Sequence, residues 1–255
     1  MRARVVVSYD GTDYAGYQRQ LDVPTVQEVL EQALRRVTQE TTTVLAAGRT
    51  DAGVHAVGQV IAFDTSWRHG EDDLQRAMNA VLPPDVAVRE LEEAAVDFHP
   101  RFDARTRHYR YRVYNAPIRS PLARRYSLHV PYALDVEAMD EAAQSLVGEH
   151  DFATFGQPPQ GEVTVRRVLR AAFRKEPHRG RTFGPGQDGE TFLRFDIEAN
   201  AFLYRMVRSI VGTLLDVGQG RMSLSAFEEA FASCERSRAG KTAAPHGLCL
   251  IKVTY

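Results

Sequence analysis

The chain opens on an apolar run, RARVVVSY, that stops at YDGTDYAG, where Asp10-Gly11 and Gly16 mark turns, so a first strand is predicted there. PTVQEVLEQALRRVTQE follows with Val26, Val29, Leu30, Ala33, Leu34 and Val37 at helical spacing. Thr25 and Glu28 form a capping box at its start. A short strand, TTVLAA, runs into the glycine-bracketed turn AAGRTDAGVHA, and GQVIAFDT leads out as another strand. EDDLQRAMNAVL reads as a second helix, with acids in its first turn and Pro83-Pro84 stopping it. From Arg105 onward the pattern resumes. RHYRYRVYN alternates, with Tyr109, Tyr111 and Val113 on one face and His108, Arg110, Arg112 and Tyr114 on the other. DVEAMDEAAQSLVG is a helix with Asp135 at its start and Gly148 just past its end. VTVRRVLRAAFRK and ETFLRFDIEA are two strands of a hairpin joined by a Gly/Pro-rich connector, residues 176–189, that is longer than usual. AFLYRMVRSIVGTLLDVG and SLSAFEEAFAS are helices, and LCLIKVTY closes as a strand.

Each half is thus β-α-β-β in character, without the regular βα alternation of a parallel doubly wound sheet. The expected class is α+β: two linked halves, residues 1–104 and 105–255, sharing a mostly antiparallel central sheet flanked by helices. No short-period repeat is visible.

Composition narrows the setting. A chain of 255 residues, 44% hydrophobic and 25% charged, is an ordinary globular composition. The three valines near the N-terminus are too short for the core of a signal peptide, and no apolar stretch is long enough to span a bilayer. Two cysteines, Cys234 and Cys249, without CxxC spacing, argue against a disulfide framework or a zinc site and for a cytoplasmic protein with reduced thiols. The net charge of −1 argues against a nucleic-acid binder, but the charge is segregated. Between Phe98 and Arg125 stand eight arginines and one acid, Asp103, whereas acids gather between Glu71 and Asp97. Between Val163 and Thr182 six arginines and a lysine face one acid, Glu176. Two arginine-dominated segments with aromatics inside them favour a polyanionic partner.

The turn around Asp51 is the candidate chemical site. On local sequence alone a lone Asp between Thr50 and Ala52 is an Asx-turn former. Metal binding with His55 lacks further ligands at suitable spacing. An aspartic protease needs a second acid and a different turn sequence. YDGT around Asp10 is too short a match to establish a phosphoryl-transfer acid.

GRTDAGVHA resembles the active-site motif of the tRNA pseudouridine synthase A (TruA) family. Its companions stand in order: YDGTDYAGYQRQ followed by TVQEVLEQAL, FHPRFDARTRHYRYRVYN, HDFATF, ANAFLYRMVRSIVG and HGLCLIKVTY. The similarity runs from Val5 to Tyr255. It implies an enzyme that isomerises uridine to pseudouridine at positions 38–40 of the tRNA anticodon stem-loop, with no cofactor or metal. It also implies a homodimer that binds tRNA across both subunits, with a cleft between the two halves of each chain. By the same resemblance Asp51 is the catalytic aspartate, and Tyr109 stacks on the target uracil and helps remove its C5 proton. Arg208 pairs with Asp51, Arg49 holds the flipped-out nucleotide, and Leu248 forms part of the pocket wall. Tyr17 departs from the GWQRQ commoner in the family, replacing an indole with a phenol, and the 176–189 connector is longer than typical. Two rival classes remain at this level: a catalytically silent RNA-binding protein on the same scaffold, and a metal-dependent hydrolase using Asp51 and His55.

Overall fold

A computed structural model describes residues 1–158, 161–176 and 191–255. In chain order the elements are β1 (Arg2–Tyr9), α1 (Val26–Thr38), β2 (Leu45–Ala46), β3 (His55–Asp64), α2 (Glu71–Val81), β4 (Val86–Ala94), β5 (Thr106–Asn115), β6 (Leu128–Val130) and α3 (Val136–Gln144). They continue with β7 (Gly148–Asp151), β8 (Val165–Lys175), β9 (Thr191–Ala199), α4 (Met206–Gly218), α5 (Leu224–Ala232) and β10 (Leu248–Thr254). The class is α+β, a mixed, mostly antiparallel set of strands with helices packed against it. Two compact units are present: Met1–Arg107 together with Cys249–Tyr255, and His108–Leu248.

In the first unit the strand order is β4-β1-β3-β10. β1 runs antiparallel to both β3 and β4, with Val5 opposite Ile61 on one side and Leu91 on the other. β10 lies parallel to β3, pairing Cys249 with His55 and Leu250 with Ala56. Helix α1 starts as the sequence implies: the Thr25 hydroxyl accepts from the Glu28 N–H, and Val26, Leu30, Ala33 and Leu34 are buried. Strand β4 lies inside the acidic segment, where the hydrophobic pattern marks no strand. Val86, Val88 and Leu91 are buried while Glu90, Glu92 and Glu93 face solvent. A shift of register between Val6 and Val7 of β1 moves the inward positions of β4 from a spacing of two to three, which hides the alternation.

In the second unit the order is β5-β9-β8-β7. β8 and β9 form the expected antiparallel hairpin, with Phe173 opposite Phe195. Their connector lies outside the described residues apart from Glu176. Asp135 caps α3 by accepting from the Ala138 N–H, as its position implies. Gly148 does not close that helix, however. The helix ends at Gln144, and Gly148, at φ +125°, opens strand β7. The core of this unit holds Tyr111, Phe152, Phe155, Phe173, Phe195 and Phe227, all fully buried. No helix among the described residues is long and apolar enough to cross a membrane.

Candidate active site

Asp51 sits in the first unit, half-buried, on the turn between β2 and β3. The turn closes with the Val54 N–H donating to the Asp51 carbonyl at 3.1 Å, and Gly53 takes φ +75°, a left-handed conformation that suits glycine. The segment after β1 grips this turn from both flanks. On the N-terminal side, Tyr9 and Thr50 share a buried hydroxyl–hydroxyl hydrogen bond of 2.8 Å, and the Tyr17 N–H donates to the Thr50 carbonyl at 3.0 Å. On the C-terminal side, the Gly53 N–H donates to the Tyr14 carbonyl at 3.3 Å, and the Gly11 N–H donates to His55 Nδ1 at 3.1 Å. Asp10 Oδ1 lies 3.1 Å from the same His55 nitrogen. Gly11 and Gly16 permit the close approach. A Cβ on Gly11 would stand 2.0 Å from the Val54 carbonyl oxygen, and one on Gly16 would stand 2.9 Å from that of Thr50. Arg49, by contrast, is exposed.

The three other sequence-predicted residues lie in the second unit. Tyr109, on β5, is half-buried, and its ring meets Phe202 edge to face with centroids 5.1 Å apart. Tyr111, two residues on, is buried packing, and its hydroxyl donates to the Ala244 carbonyl at 2.8 Å. Arg208, in the first turn of α4, is half-buried and donates from Nε to the Ala243 carbonyl at 2.8 Å, while the Ala243 N–H donates back to the Arg208 carbonyl. Its neighbour Arg205 is exposed, with its guanidinium 4.8 Å from the Tyr204 ring centre. Burial pushes the Tyr111 phenol well above its ordinary range, and the Arg208 charge opposes that shift. Leu248 is buried at the end of the same 243–248 segment, beside Gly247, where a Cβ would meet the Tyr111 ring at 2.6 Å. Tyr111, Arg208 and Leu248 are therefore tied to one stretch of backbone.

The arginine excess on β5 is partly neutralised. Asp196, buried on β9, is hydrogen-bonded through Oδ1 to His108 at 2.8 Å and Arg110 at 2.9 Å, and its Oδ2 forms an ion pair with Arg194 Nε at 3.2 Å. Arg112 bonds Glu176 through both Nε and a terminal nitrogen. Among the described residues there is no cluster of three or more potential metal ligands.

A family model described as "tRNA pseudouridine synthase" matches residues 5–103 and 142–255. The chain belongs to the tRNA pseudouridine synthase A family. It is 42% identical over 253 residues to the tRNA pseudouridine synthase A of Geotalea uraniireducens, covering 99% of this chain and 98% of that protein. It is 44% identical to that of Brevibacillus brevis, covering 100% and 99%. The Chloroflexus aurantiacus protein of the same name is 44% identical, covering 98% of this chain and 87% of its own. Asp51 and Arg49 fall in the first matched span of the family model, and Arg208 and Leu248 in the second. Tyr109 falls between them, in a stretch that the relatives cover.

The sequence marks Asp10-Gly11 and Gly16 only as turns and offers Asp10 and His55 only for other chemistry; that these residues, with Tyr9 and Tyr14, hold the aspartate turn is seen only in the structure. Their signal was the density of tyrosine and glycine in YDGTDYAGY. That density marks turns, but it does not say which loop they brace.

Proposed function

We propose that this member of the tRNA pseudouridine synthase A family converts uridine to pseudouridine at positions 38–40 of the tRNA anticodon stem-loop. In this reading it works in the cytoplasm, as a homodimer and without cofactor or metal. The supporting observation is the bracing of the Asp51 turn by the 9–17 segment, which holds a half-buried carboxylate at a fixed point of the first unit.

The reaction breaks the N1–C1′ bond and forms a C5–C1′ bond. A proton leaves C5 and one is taken up at N1, so nothing is consumed. An ionised carboxylate beside the glycosidic bond is the group needed whether the step is attack on C1′ of the sugar, attack on the base or removal of the 2′ proton. Inside a protein such a carboxylate stays ionised when a cation stands beside it, the role proposed for Arg208, whose guanidinium does not deprotonate. Reaching a base in a stem costs a few kcal/mol of unstacking. Arg49, exposed two residues before Asp51, is suited to fill the vacated space and bind phosphate. Tyr109 offers the uracil a flat partner worth about 1–3 kcal/mol and assists removal of the C5 proton. Leu248 contributes apolar wall.

Asp51→Asn is expected to leave tRNA affinity nearly unchanged and to abolish pseudouridine formation, measured by filter binding and by carbodiimide mapping of the product. Retained activity would remove Asp51 as the catalytic group. The same experiment separates the enzyme from an inert RNA-binding protein, since only the enzyme has an activity to lose.

A further inference from the structure

Phe102 is a large apolar side chain left 74% exposed, in the arginine-rich loop between β4 and β5. A single exposed apolar residue is ordinary on a protein surface. The loop beneath this one is not ordinary, because it is pinned at nearly every residue. Arg2 donates from Nε and a terminal nitrogen to the Phe98 carbonyl, and the Tyr255 hydroxyl donates to the Pro100 carbonyl at 2.8 Å. His99 Nδ1 accepts from the N–H groups of both Arg101 and Phe102, and the His99 N–H donates to Asp103 Oδ2 at 2.8 Å. The imidazole lies 4.2 Å from the Phe102 ring, tilted by 32°, and the Arg101 guanidinium carbon lies 5.8 Å from the ring centre. A ring held this way loses little freedom when a partner stacks on it.

The same loop is tied to the strand that leads into the Asp51 turn. The Arg107 guanidinium donates to the Arg101 carbonyl at 2.7 Å, the Ala104 carbonyl at 3.1 Å and the Ala47 carbonyl at 3.1 Å. Ala47 lies two residues before Arg49. One cation therefore links the Phe102 loop to the catalytic turn within the first unit. Arg101, beside the ring, and Arg105, three residues along the chain, are exposed cations suited to the phosphates of a stacked nucleotide.

From this arrangement we infer that Phe102 is a stacking platform for a nucleobase of the tRNA other than the uridine being isomerised. It sets where the RNA lies relative to Asp51. The inference rests on the proposed function for its ligand. The chemistry selects a base: a planar hydrocarbon ring beside an imidazole gives a π face to stack on, and the neighbouring guanidinium supplies positive charge for the backbone, with no demand for sequence.

The test is the affinity of the full-length protein for an unmodified anticodon stem-loop RNA. Phe102→Ala is expected to weaken binding about 5- to 140-fold, which is about 1–3 kcal/mol per stacked base at 1.4 kcal/mol per decade. Phe102→Leu should fail in the same way, because it restores apolar area without a π face. Phe102→Trp should restore affinity, and its added fluorescence should be quenched by RNA beyond any change at Trp67. Scanning the RNA with abasic nucleotides should find one position at which the Phe102→Ala loss disappears. The melting temperature should not move, since the ring is exposed.

Unchanged affinity in Phe102→Ala, with wild-type protein that still forms pseudouridine, would overturn the platform and leave the proposed function standing. A Phe102→Ala protein that changes its sedimentation but not its RNA affinity would overturn it in favour of a contact between copies of the chain. Failure of the wild-type protein to form pseudouridine would instead defeat the functional reading, through a separate assay.

Discussion

Tyr17 carries its phenol into the first unit with 2% of its surface exposed, its ring 6.4 Å from that of Tyr9. Its backbone N–H holds the Thr50 carbonyl, but its hydroxyl has no hydrogen-bond partner among the described residues. Burial pushes that phenol well above its ordinary range, with Tyr9 and Glu31 adding to the shift. An unsatisfied buried polar group costs about 1–3 kcal/mol. Tyr17→Phe removes it without opening a cavity and is expected to raise the melting temperature by roughly 2–4 °C per kcal/mol recovered. A lower melting temperature would show that the hydroxyl is bonded after all. Tyr17 also shows what a motif match conveys. YDGTDYAGYQRQ identified the family, yet which of its side chains brace the Asp51 turn depends on chain segments brought together over some forty residues. Asp51 was legible because its motif is long, whereas the His55–Gly11 bond behind it was not.

At the level of elements, β5 and β9 are joined by side chains whose charges were visible but whose pairing was not. The sequence shows arginines in β5 with almost no acid nearby, since Asp196 lies 86 residues beyond Arg110. Burial alone would raise the Asp196 carboxyl; the hydrogen bonds and charges of His108 and Arg110 outweigh it, and the group titrates below its ordinary value. A depressed folded value means that its stabilisation is complete above the ordinary aspartate range and is lost as pH falls through the folded value. Asp196→Asn should therefore destabilise most near neutral pH. The expected cost lies toward the lower end of about 3–5 kcal/mol, because Arg110, Arg194 and His108 stay partly solvated. Urea denaturation of variant and wild type should converge in strong acid. A pH-independent gap would argue against the network. Strand β4 makes the same point for backbone: its alternation is broken by an extra residue, Arg89, between the partners of Val6 and Val7, a bulge that only the pairing with β1 defines.

For the whole molecule, a net charge of −1 understates the attraction to RNA, because Arg101, Arg105, Arg119 and Arg124 are exposed while Arg107, Arg110 and Arg112 are occupied within the protein. Fewer phosphate contacts are thus on offer than the raw arginine count suggests. Binding to tRNA should still weaken steeply with salt, by about a thousandfold between 50 and 200 mM if about six phosphates are neutralised. A flat salt dependence would remove the basic track. The proposed homodimer has its own signature, sedimentation at twice the 28.6 kDa mass of the chain.

The sequence by itself determined the α+β class, most of the helices and strands, the family and the aspartate on its glycine-bracketed turn. Each of these depends on local spacing or on a contiguous motif, and such information survives in one dimension. The tertiary structure alone decided what braces that turn, which arginines are already engaged, why β4 is a strand, and that Phe102 stands exposed on a pinned loop clipped to the Asp51 turn. Those outcomes depend on contacts between residues far apart in the chain, which form only when burial and hydrogen-bond satisfaction are settled for the whole fold together.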